Sequence, residues 1–95
     1  MPKAVLMSRD GAETLAVEAL AFLAQEPDQL GRFLAASGMG PEMIRKAAAD
    51  PGFLAGVLDF LAADEPLLLA FARHSGIDPR TVERAQALLG GHSQQ

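Results

Sequence analysis

Apolar residues recur three and four apart along most of the chain, and turn residues interrupt that rhythm at short intervals. The pattern predicts about six helices. Asp10-Gly-Ala-Glu13 places an N-cap acceptor three residues before a Glu, so the first helix should start there. It should run to about Gln25 and stop at Glu26-Pro27, because a residue before proline is pushed out of α geometry. Apart from Thr14, Glu18 and Gln25 it is almost wholly Ala, Leu, Val and Phe, which marks a central bundle helix. Pro27 opens a second helix to about Ala36, with Leu30, Phe33 and Leu34 as its inward stripe. Ser37-Gly38-Met39 ends it, with Gly38 left-handed and Met39 folding back. Gly40-Pro41 leads into a third helix, Pro41–Ala49, with Met43, Ile44 and Ala47 inward.

The same plan follows again. Asp50 caps a fourth helix that has Pro51 in its first turn and reaches Ala63. Asp64-Glu65-Pro66 starts a fifth, and Ser75-Gly76-Ile77 ends it. Asp78-Pro79 opens a sixth, Arg80–Leu89, with Val82, Ala85, Leu88 and Leu89 apolar. A shift of 38 residues lays Leu15–Ala49 over Phe53–Ala87 without a gap, with 11 of 35 positions identical. The shared positions are apolar anchors and turn residues, among them Leu23/Leu61, Phe22/Phe60, Phe33/Phe71, Gly38/Gly76 and Pro41/Pro79. The expected fold is therefore an all-α compact bundle of two three-helix repeats, 12–49 and 50–89. These make one helical domain over 1–95, with flexible ends at 1–9 and 90–95 and helices one and four central.

Composition agrees with helices: 18 Ala and 14 Leu stand against six Val and Ile together. Cysteine is absent, which excludes disulfides and thiolate zinc sites. The apolar run near the start is only four residues long, too short for a secretory signal, and no stretch is long enough to span a bilayer. A cytoplasmic protein without membrane contact is expected. The net charge of −4 argues against general affinity for nucleic acid. Charge is also uneven: Arg9–Pro27 holds one positive and four negative residues, and Asp50–Pro66 holds four negatives.

Candidate chemistry is sparse. Ala72, Gly76, Ile77, Val82 and Ala85 have the spacing of a helix-turn-helix built from 66–75 and 79–89. Arg73, Arg80 and Arg84 would then be the nucleic-acid contacts. The first copy fits less well, since Leu34 stands where a small residue is wanted. Any Gly-capped helix followed by an Asp-capped one has this pattern, so Gly38, Pro41, Gly76 and Pro79 are read first as structural turns. His74 and His92 are far apart and no histidine pair shares a helix face, so neither a metal site nor a cofactor is expected. Asp64-Glu65 sits at a helix start, where carboxylates favour the dipole, and Ser37 and Ser75 lack a base partner. No catalytic residue is assigned and no enzyme is expected. Gly52 and Gly56 have G-x-x-x-G spacing, read as a close crossing inside the monomer ahead of a dimer contact. The five Phe residues lie on apolar stripes and are read as core.

The segments ALAFLAQEPDQLGRFLAASGMGP and DPGFLAGVLDFLAADEPLLLAFARHSGIDP closely resemble the small proteobacterial family known as domain of unknown function 3572. The resemblance rests on the E-P and D-E-P helix starts, the two S-G turns and the VLDFL segment, and covers about Asp10 to Gly91. It implies a short bacterial protein and brings no activity or site residues. Surplus apolar character on helices one, four and five points to a non-enzymatic interaction module. Its partner would be another protein or a second copy of itself, as in a homodimer. A helix-turn-helix DNA-binding protein is the alternative.

Overall fold

The computed structural model describes residues 8–90, the side chain of Pro41 excepted. Among these residues all regular structure is helical: α1 (Arg9–Ala24), α2 (Pro27–Ser37), α3 (Ile44–Ala47) entered through a 3-10 turn (Pro41–Met43), α4 (Pro51–Ala62), α5 (Glu65–Ser75) and α6 (Pro79–Gly90). Helix ends follow local chemistry. Asp50 accepts from the Gly52 amide at 3.0 Å, and Asp64 accepts from Leu67 at 3.2 Å. Gly38 and Gly76 terminate α2 and α5 at φ 72° and 69°, as only glycine does readily. The next amide turns back in each case: Met39 donates to Leu34 and Ile77 donates to Ala72, at 3.2 and 2.9 Å.

One expected helix end moves. The cap of α1 is Ser8, whose hydroxyl accepts from Gly11 at 3.0 Å; Asp10 lies inside the first turn. The earlier start brings fully buried Ala12 into line with Leu15, Ala16 and Ala19 on one face. Arg9 and Gly90, expected in flexible ends, are thus the first and last residues of α1 and α6. The rest of those ends, 1–7 and 91–95, lies outside the described residues.

The core forms where α1, α4 and α6 pack against one another. Its largest fully enclosed side chains are Leu23, Val57, Leu58, Leu61, Phe71 and Val82. α2 lies on α1, and α5 lies on α4 and touches α6. Two aromatic pairs tie the halves together. Phe22 of α1 meets Phe71 of α5 at 5.5 Å, and Phe60 of α4 meets Phe33 of α2 at 5.3 Å. Adding 38 to Phe22 and subtracting 38 from Phe71 turns the first pair into the second.

The third helices do not share this equivalence. α6 has 12 residues and buries Val82, Ala85 and Leu89 between α1 and α4. α3 has four residues and buries none; Met43, expected inward, is 46% exposed. The offset places Asp50-Pro51 where α6 has Leu88-Leu89. The cap of α4 therefore cuts α3 short before it can build an apolar stripe. The expected centre of helices one and four accordingly gains α6 as a third member, without an equivalent contribution from α3.

Candidate functional site

A groove with apolar walls lies between α2 and α4. It has a volume of about 540 Å³ and is open on its outer side. Phe33 enters from α2, and Phe53 and Phe60 enter from α4; Phe33 meets these two rings edge-on at 5.6 and 5.3 Å. Met39 closes one end through the backbone reversal at Gly38. Phe33 is buried, while Phe53 and Phe60 are half-exposed and form the accessible apolar wall. This refines the reading of all five Phe residues as core.

Gly52 and Gly56 line the same groove. No chain segment crosses them: a Cβ at Gly56 would meet nothing within 4 Å, and one at Gly52 would meet only the carboxylate of Asp50. The close crossing inside the monomer expected from their spacing is therefore absent. Instead, their missing side chains open α4 to solvent.

The charged residues lining the groove are Asp50, the cap of α4, and Asp59 within α4. Each carboxylate uses Oδ1 within the fold: Asp50 at the Gly52 amide, and Asp59 at the side-chain amide of Gln86, 2.8 Å away. Arg32 lies beside the groove, with its guanidinium 5.9 Å from the Phe60 ring centre and 3.5 Å from Asp64.

A cleft of about 260 Å³ occupies the equivalent place between α1 and α5. There Phe22 replaces Phe60, Glu18 replaces Gly56, and His74 replaces Ala36. The His74 ring stands 5.1 Å from the ring of Phe22. The open groove thus differs from the smaller cleft at Ala36/His74 and Gly56/Glu18, and also at Phe53/Leu15 and Asp59/Ala21.

The helix-turn-helix positions are placed as follows. Ala72, Val82 and Ala85 are buried, Ile77 is half-buried, and Arg73, Arg80 and Arg84 are exposed. Arg80 is engaged with Asp78 through Nη2–Oδ2 and Nε–Oδ1 contacts of 3.0 and 3.3 Å. That hydrogen bonding holds the Asp78 carboxyl below its ordinary value and raises the Arg80 guanidinium above its own. The backbone amide of Arg80 also donates to Asp78 at 2.8 Å, so Asp78 caps α6. In the first unit Glu42, Arg45 and Lys46 are exposed, and Leu34 is half-buried. Pro41 begins the 3-10 turn and Pro79 begins α6.

Among the described residues no group of three or more His, Asp or Glu side chains is arranged to hold a metal ion, and no polar side chain is buried. Asp64 caps α5, and the Ser37 hydroxyl donates to Leu34 at 3.2 Å. His92 lies outside the described residues. No helix among them is long and apolar enough to cross a membrane.

An all-α protein with an open apolar groove on one side is the class that these features define. The family model described as "Protein of unknown function (DUF3572)" matches residues 9–92, and the chain belongs to that family. No curated protein and no solved structure matches the chain.

The groove was not legible as a site from sequence, because its walls come from two helices and a turn of different segments. The residues that carried a signal were Gly52 and Gly56. Two glycines inside one helix are unfavourable unless backbone or space is needed there.

Proposed function

We propose that this protein is a non-enzymatic interaction module and that the groove between α2 and α4 receives a helix of a partner protein. The observation that supports this reading is the accessible wall of Phe53 and Phe60 beside a helix face cleared by Gly52 and Gly56. An amphipathic helix docks by inserting spaced apolar side chains into such a groove. A face without side chains on α4 lets the incoming backbone approach closely. α4 keeps glycine at position 56 although the helical alternative meets no obstacle there. That is a loss of helix stability which contacts within the monomer do not offset.

The test is photo-cross-linking in the host from a benzophenone-bearing residue at position 53. A discrete cross-linked product that disappears when Gly56→Leu fills the groove is expected, with the helical circular dichroism of the variant retained. No product, or a product indifferent to Gly56→Leu, would overturn the reading. A product of twice the chain mass identifies a second copy as the occupant, and so a homodimer, and overturns the hetero-partner form.

A second reading is DNA binding through α5 and α6, favoured by the exposed placement of Arg73, Arg80 and Arg84 beside a Gly-capped turn. Two observations weigh against it. α6 is enclosed on two sides by α1 and α4, and Arg80 is already engaged with Asp78. A recognition helix has to enter a major groove about 12 Å wide, which a flanked helix does poorly.

A further inference from the structure

We infer that the occupant of the α2–α4 groove is a basic amphipathic helix, with a cationic side chain near each end of its docked face. This inference rests on the docking role proposed for the groove and adds the chemistry of the partner. The first observation is the charge of the walls. The charged lining residues are Asp50 and Asp59, and both are acidic. They stand nine positions apart, Asp50 at the cap of α4 and Asp59 within it, about 13 Å at ~1.5 Å per residue. Oδ1 of each is committed within the fold, and neither Oδ2 has a hydrogen-bond partner there. A docked helix with Lys or Arg about two turns apart on one face, seven or eight residues, meets both carboxylates through its long side chains while its apolar face covers Phe53 and Phe60.

The second observation is how the molecule fills the equivalent cleft. Beside Phe22, that cleft holds an imidazole from His74, with Glu18 also on its wall. Beside Phe60, the matching positions are Ala36 and Gly56, and the acid is Asp59. An aromatic floor and a carboxylate are thus both present in the open groove, and the position that His74 holds in the cleft is Ala36, which carries no polar group. A partner's Lys, Arg or His fits that space. Arg32 approaches the Phe60 ring but is paired with Asp64, so it does not neutralise the groove carboxylates.

The probe is a set of helix-forming peptides selected against the intact protein from a charge-balanced library. The selected peptides should be net basic. Their affinity should fall roughly three- to tenfold in the Asp50→Asn, Asp59→Asn double variant, the effect of two partly exposed ion pairs. Asn retains both the cap of α4 and the acceptor for Gln86, so the fold is kept and only charge is removed. Added salt should weaken wild-type binding more than binding to the double variant. Neutral or acidic selected peptides, or affinities unchanged by the double variant, would overturn the basic partner and leave the docking role standing. Peptides that bind Gly56→Leu as well as wild type, or a selection without binders, would overturn the docking role itself.

Discussion

The groove between α2 and α4 and the cleft between α5 and α1 are lined in part by residues that a 38-residue shift pairs, yet one is about twice the volume of the other. Both have a Phe wall and a Gly-reversed helix end. They differ where Ala36 faces His74 and Gly56 faces Glu18. The backbone plan accommodates the larger pair in one half, so the open groove is not a requirement of the fold. The third helices differ in the same instructive way. α6 enters the core between α1 and α4, whereas α3 stays at its margin because Asp50-Pro51 starts α4 where α6 continues with Leu88-Leu89.

The largest expected effect tests the contrast between the third helices. Leu89→Ala removes a side chain only 2% exposed and should cost about 2–5 kcal/mol in urea unfolding. Ile44→Ala acts on a half-buried side chain and should cost only about 1 kcal/mol. Equal losses would show that α3 supports the core as α6 does.

The glycines should divide by sign. Gly38→Ala and Gly76→Ala force a Cβ into left-handed backbone, and each should cost about 1 kcal/mol in thermal unfolding. Gly56→Ala meets no atom within 4 Å inside a helix and should stabilise by about 0.5–1 kcal/mol. A loss at position 56 would mean that the groove needs its glycine for the fold, which would remove the contrast with the filled cleft.

Smaller effects bear on the α5–α6 unit. Random duplex DNA should show no mobility shift at about 50 mM salt, since few phosphates could be neutralised by so few basic residues. A shift abolished by Arg84→Ala would move the function from the groove to α6. Smallest of all is the Asp78–Arg80 pair. Hydrogen bonding to Arg80 lowers the Asp78 carboxyl, so its contribution is present above the ordinary carboxylate range and is lost as pH falls through the lowered value. Asp78→Asn keeps the cap but not the charge. The small difference in Tm between wild type and this variant should therefore shrink towards zero as the solution is acidified.

The chain's own residues determined the helices of the described region and their glycine and proline boundaries, because caps, pre-proline restrictions and left-handed glycines act within a few residues of one another. The start of α1 escaped that logic by two residues: Ser8 and Asp10 are both competent caps, and the Ser8 hydroxyl is the one that takes the Gly11 amide. Only the tertiary structure decided that α6 is central and α3 is not, and that Gly52 and Gly56 face solvent instead of a neighbouring helix. A groove is a volume that other segments leave empty. Local sequence shows which side chains α4 lacks, but only the packing of α2 and its turn decides whether anything fills the space.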